Sequence, residues 1–176
     1  MSKEIMIDLS KIKKNRSGFA MIFKQHSVYH LVGNGNSLVQ EPEIKIKNSG
    51  DIIKILQDRL VPQQLEIREY FFVLCFNRAN CFVGMAQISE GGTSGTLVDP
   101  KLIVALVMTL GAAKNASGVV LCHNHPSGMM KPSDADIRLT HKIKEALKYI
   151  EISFLDHIII NSMMDKHYSF ADNGLL

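Results

Sequence analysis

Apolar positions along this chain change their spacing several times, and each change marks an element. Residues 18–33, GFAMIFKQHSVYHLVG, hold two short β-type runs around a polar break, and EIKIK at 43–47 alternates like an exposed strand. The intervening GNGNSLVQEPE is loop. Ser49 is placed to cap a helix over DIIKILQDRL, whose apolar residues recur at helical spacing. From Tyr70 the pattern turns to β: YFFVLCF and CFVGMAQIS are apolar and rich in strand formers, and NRAN between them predicts a hairpin connection. GGTSG is a flexible loop. Asp99-Pro100 predicts a helix start, with Asp as N-cap and Pro at the first helical position, leading into KLIVALVMTLGAAKNA.

The second half repeats strand and helix. SGVVLCHNH is apolar without alternation, as in a strand buried on both faces. PSDADIRLTHKIKEALKYI predicts an amphipathic helix, ISFLDHIII another buried strand, and HYSFADNGLL a tail with one short edge strand. This alternation predicts an α/β sandwich, a mixed β-sheet flanked by helices. Residues 1–45 are less regular and short of ordinary domain size, so they are expected to be a β-containing extension to a folded domain at 46–176.

Composition narrows the class. Of 176 residues, 46% are hydrophobic and 21% charged, as in an ordinary globular chain. A net charge of +3 is too mild to announce a nucleic-acid partner. Cys75, Cys81 and Cys122 form neither a Cys-x-x-Cys pair nor an even disulfide framework, and read as reduced thiols. Cys75 and Cys81 are expected to face each other across the hairpin. The N-terminus lacks the continuous apolar core of a signal peptide, and the longest apolar run, LIVALVMTLGAA, is too short for a bilayer. A cytoplasmic protein without a membrane partner is expected.

The chemistry concentrates in HNHPSGMMKPSDAD. Strand alternation puts Val119, Leu121, His123 and His125 on one face, with the two histidines about 6.5 Å apart along the strand. Both imidazoles can reach one ion at about 2.0–2.1 Å. Pro126 ends the ladder, so the histidines lie at a strand end, where α/β proteins place their sites. Asp136 shares a helical face with Thr140, Ile143 and Leu147, the face turned to the core. A carboxylate at the head of an apolar stripe needs a partner. Two histidines and one aspartate, with water in the fourth position, make an open zinc site of the catalytic type. Each piece has a plainer reading, since Ser133-x-x-Asp136 is close to a capping box and two strand histidines can be hydrogen-bonded core residues. Together they favour metal.

The spacing His123-x-His125, seven residues, Ser133, two residues, Asp136 matches the H-x-H-x7-S-x2-D motif of the JAMM (JAB/MPN) metalloprotease family. With HNHPSG, PSxxD and the later FLDHIII, residues 45–176 more narrowly resemble the RadC-like branch. The resemblance implies a cytidine-deaminase-like fold, zinc held by His123, His125 and Asp136, and a protein or peptide substrate cleaved at a peptide or isopeptide bond. It also implies a general-base glutamate on an upstream strand. Glu69 is the matching position, with Glu66 and Glu90 as competitors. Ser133 would donate its hydroxyl proton to the developing oxyanion. Residues 1–45 show β-like runs and not the helix-hairpin-helix module that RadC proteins usually carry. The rival is a non-catalytic zinc-containing module in DNA repair or mobile-element DNA metabolism, with nucleic acid as partner.

Other residues resemble sites more weakly. HNH nucleases spread their signature over tens of positions, so three consecutive letters are coincidence. Base deaminases need H-x-E with P-C-x-x-C, and neither occurs. His157 points opposite to Asp156 and reads either as a support behind the metal ligands or as a satisfied core histidine. His141 faces away from Asp136, and Cys122 alternates away from His123. Met129 and Met130 would line a groove or cover the sheet end.

Overall fold

The computed structural model describes residues 44–91 and 98–176, without the side chains of 110–114. The β-type runs at 18–33, the extension at 1–45 up to its last two residues, and most of the GGTSG loop lie outside these residues. The described elements are α1 (Ser49–Gln57), α2 (Pro62–Leu65), β1 (Tyr70–Phe76), β2 (Phe82–Glu90), α3 (Pro100–Lys114), β3 (Gly118–Asn124), α4 (Asp134–Lys148), β4 (Ser153–Ile160) and β5 (His167–Ser169). They build the expected α/β architecture, a five-stranded sheet in the order β2-β1-β3-β4-β5. Strands β3 and β4 run parallel and are joined through α4, while every other pairing is antiparallel, so the sheet is mixed.

Side-chain parity divides the core between the two faces of this sheet. Phe72, Leu74, Val120, Cys122, Ile158 and Ile160 join Ile52, Ile55 and Leu56 of α1 on one face. Val73, Val119 and Leu121 join Ile103 and Val107 of α3 and Ile143 and Leu147 of α4 on the other. Every residue of β3 is buried, because a central strand covered on both sides has no solvent face. Helix α4 buries Thr140, Ile143 and Leu147, the stripe its periodicity predicts.

Several local expectations are corrected. The cap of α1 is Asn48, whose Oδ1 accepts from Asp51 N at 3.1 Å, while Ser49 is the first helical residue and donates its hydroxyl to Asp172 at 2.7 Å. Both residue types cap well, so the sequence did not separate neighbours. Of EIKIK, the described residues 44–47 form a single bridge, Lys45 to Cys81, because the chain turns into α1 before a ladder can grow. The short helix α2 was not anticipated. Cys75 stands opposite Gly84, and Cys81 bridges Lys45, so the two thiols are not cross-strand partners. The hairpin itself is as expected: Asn77 Oδ1 accepts from Ala79 N and Cys81 N, and Asn80 takes φ 60, a left-handed conformation that Asn tolerates. Asp99 Oδ1 accepts from Lys101 N at the start of α3. Among the described residues no helix is long and apolar enough to cross a membrane.

The C-terminal tail is tied to the sheet by one buried carboxylate. Asp156 accepts from Ser169 Oγ at 2.6 Å, from Ala171 N at 2.9 Å and from its neighbour His157 N at 2.7 Å. Burial raises its pKa while those donors pull it down. Asp156→Ala should cost about 1–3 kcal/mol by leaving buried donors without an acceptor. The check is a lower urea midpoint at an unchanged slope.

Candidate metal centre

His123 stands one residue before the end of β3, on the face of Val119 and Leu121, and is fully buried. Its ring stacks on Phe71, its cross-strand partner in β1, with centroids 5.9 Å apart and planes at 10°. His125 lies just past β3, but its N–H still donates to Ile160 O at 2.9 Å, so the ladder carries it one residue further. A turn follows, closed by Gly128 N to His125 O at 2.9 Å, with Gly128 at φ +72, where a side chain would strain the backbone. The turn returns Met129 O to His125 Nδ1 at 2.6 Å. Asp136 sits at the third position of α4 in a complete capping box with Ser133. Ser133 N and Ser133 Oγ both donate to Asp136 Oδ2, at 2.7 and 2.6 Å, and Ser133 Oγ accepts from Asp136 N at 3.1 Å.

Hydrogen bonds behind the histidines fix where their protons sit. The carbonyl of Asp136 can only accept, so the Thr140 hydroxyl 2.6 Å away spends its proton there. Thr140 Oγ1 then accepts from His157 Nδ1–H at 2.6 Å. His157 Nε2 is left with a lone pair and accepts from His123 Nδ1–H at 2.8 Å. His123 Nε2 therefore carries a lone pair. By the same reasoning His125 Nδ1–H donates to Met129 O, and His125 Nε2 carries another.

Those two lone pairs face each other at 3.0 Å, and Asp136 Oδ1 lies 3.4 Å from His123 Nε2. Burial holds the His123 pKa down to about 4, against the pull of Asp136, and burial likewise holds His157 well below its ordinary value. Two lone pairs and a carboxylate converging without a shared proton repel one another, and a cation relieves that repulsion. The separations suit one: ligands about 2.1 Å from a tetrahedral centre stand about 3.4 Å apart. Among the described residues His123, His125 and Asp136 form the group of potential ligand atoms, all within 4.8 Å of one another. The residues fit a divalent ion.

The remaining expected residues fall as follows. Glu69 is half-buried immediately before β1, and its carbonyl accepts from Gly91 N at 2.8 Å. Glu69 stands two residues before Phe71, the cross-strand partner of His123. Glu66 is exposed at the end of α2. Glu90 pairs with Tyr70 in the ladder, which puts it on the other face, and it bonds Arg68. His141 is exposed, and His167 contacts Ser49 at 3.2 Å. His26 and His30 lie outside the described residues. Both readings of His157 meet: it is a buried histidine with both ring nitrogens bonded, and one of those bonds is to His123. Sequence reasoning missed its bond to Thr140 and the use of the Met129 carbonyl rather than its side chain. The parity of His157 with His123 on neighbouring parallel strands was the available signal.

A ligand whose far nitrogen is held in this way loses affinity when the support goes, by about 10–100-fold. His157→Phe keeps a ring to stack on Phe170, 4.7 Å away, but cannot accept from His123. Competition with a chromophoric chelator should show that loss, whereas His125→Ala or Asp136→Ala should remove most of about one bound metal per chain. Unchanged metal content in all three would sink the assignment.

Residues 46–175 match the family model of the RadC-like JAB domain. The chain is 43% identical over 133 residues to a UPF0758 protein of Flavobacterium johnsoniae, covering 74% of this chain and 53% of that one. It is 38% identical over 109 residues to a UPF0758 protein of Porphyromonas gingivalis, covering 62% and 46% respectively. A UPF0758 protein of Chlorobaculum parvum is 30% identical over 157 residues, covering 89% and 64%. The chain thus spans about half the length of the first two of these relatives.

Proposed function

Since this chain belongs to the RadC-like JAB domain family, we propose that it is a zinc-dependent hydrolase that cleaves a peptide or isopeptide bond in a protein or peptide substrate. The observation that carries the reading is the pair of imidazole lone pairs beside the Asp136 carboxylate, left bare because acceptors behind each ring take the Nδ1–H. Two imidazoles and a carboxylate suit zinc better than the oxygen-seeking cations. His123, His125 and Asp136 would hold it, and it would supply Lewis acidity, acidifying water toward a pKa of about 7 and polarising a carbonyl.

Glu69 is the proposed general base, taking a proton from the attacking water and returning it to the leaving amine. What supports it over its competitors is position: Glu69 stands two residues before the cross-strand partner of His123, Glu66 is exposed beyond α2, and Glu90 bonds Arg68. Ser133 is the proposed oxyanion donor. Its hydroxyl proton is given to Asp136 Oδ2, so this role requires that proton to turn toward the substrate.

The test is mass-spectrometric cleavage of two pools by zinc-loaded protein, one of α-linked peptides and one with ε-linked lysine, with a DNA substrate in parallel. Glu69→Gln should keep zinc and abolish cleavage, while Glu66→Gln stays active; the reverse outcome moves the base. Cleavage of DNA and of neither pool would overturn the amide reading.

Ser133→Ala separates two roles. Loss of the cap should cost about 1 kcal/mol of stability, and loss of an oxyanion donor about a hundredfold or more in turnover. Wild-type turnover in a zinc-loaded, folded variant would leave the cap as the whole role of Ser133.

A further inference from the structure

Between the two histidines stands a residue that the metal chemistry leaves unused. Asn124 is fully buried, and strand parity turns its side chain to the face opposite His123 and His125. There its amide meets the segment that leads into β1. Nδ2 donates to Leu65 O and to Arg68 O, both at 2.8 Å, and Oδ1 accepts from Tyr70 N at 2.7 Å. Reversing the amide would set an oxygen against two carbonyls and an NH2 group against an N–H, so the orientation is forced. Both of its amide hydrogens are committed.

These bonds span residues 65 to 70 and so bracket Glu69. Toward β2 the segment is tied by Arg68, which bonds Glu90, while α2 has no side-chain cap and Glu66 and Ile67 are exposed. Leu65 is buried at one end and β1 begins at the other. The carbonyl of Glu69 is held from β2 by Gly91. From β3, it is Asn124 that fixes the height of the segment relative to the strand end carrying the ligands.

We propose that Asn124 is a positioning residue, whose side-chain amide pins residues 65–70 to the metal-bearing end of β3 and so sets Glu69 against His123 and His125. The inference rests on the reading of Glu69 as general base. Its geometric half, the pinning of 65–70, stands apart from that reading. Misplacing a catalytic group by about 1 Å costs about a hundredfold in rate, so the pin would act on turnover rather than on metal binding.

The experiment uses the full chain loaded with zinc and carrying Asn124→Ser, with Asn124→Asp as a second variant should the first not fold. Amide hydrogen exchange is the readout independent of activity. Exchange at Tyr70 and its neighbours at 66–69 should rise about tenfold or more, as expected for losing a hydrogen bond, while β3 and β4 and the zinc content stay as in wild type. Unchanged exchange there, or a uniform rise throughout the sheet, overturns the pin. On the cleaved pool, kcat should fall by about tenfold to a hundredfold at unchanged KM. A wild-type kcat in the folded, zinc-loaded variant, or a loss carried by KM alone, shows that Asn124 does not position Glu69 and overturns the proposal. If wild type cleaves neither pool, the hydrolase reading fails and with it the catalytic half, whereas the exchange result still decides the pin.

Discussion

The candidate metal centre depends on a hydrogen-bond chain that begins at Asp136 and ends at His123. It runs from the Asp136 carbonyl through Thr140 and His157 to His123. A carbonyl has no proton to give, so every group along the chain has its polarity set from that end. The result is a lone pair on His123 Nε2, reached without any charge in the interior. Burial acts in the same direction, since it holds both His123 and His157 in the neutral form. The carboxylate of Asp136 faces the site while its backbone sets the tautomer of the histidine beside it, so one residue contributes twice.

This arrangement requires buried polar groups, which are costly unless satisfied. Strand β3 and the second half of β4 are buried, so a misplaced donor there would lose its partner. His123, Asn124, Thr140, Asp156, His157 and Ser169 are the buried polar residues, and among the described residues no buried side-chain nitrogen or oxygen lacks a partner. The polar residues are grouped by face. Asn124 meets backbone from the segment before β1, whereas His123, His157 and Thr140 meet one another beneath the ligands. Parity along β3 keeps the two sets apart although their members are adjacent in the chain.

What could be read from the sequence follows from which interactions are local. The strand parity of His123 and His125, the stripe of Asp136, Thr140, Ile143 and Leu147, and the Ser133 capping box are set by residues a few positions apart, and the structure has all of them. The mixed sheet followed from buried β-type runs separated by a helix. Choices between near-equivalent neighbours were less legible: Asn48 and Ser49 are both good caps, and the outcome turned on Ser49 finding Asp172 far along the chain. EIKIK has strand alternation, but alternation does not supply a partner strand. The function of His157 was ambiguous for the same reason, since its bonds reach 34 residues back to His123 and 17 back to Thr140. Backbone acceptors such as Met129 O leave no mark in residue type at all.

The three letters His123, Asn124 and His125 therefore make sense as two interleaved patterns rather than as one motif. Odd positions face α3 and α4 and present nitrogen lone pairs; the even position faces the α1 side and holds backbone from another part of the chain. A strand is the element that permits this, because adjacent side chains diverge while their backbone remains a single rigid unit. Tyr70 N–H donates to Asn124 on the α1 side, one residue before Phe71 pairs with His123 in the ladder. A ligand set carried on a helix would have spread its supports over one surface and lost this division. Here the strand end holds two things at once, the protons behind the candidate ligands and the backbone of the segment before β1.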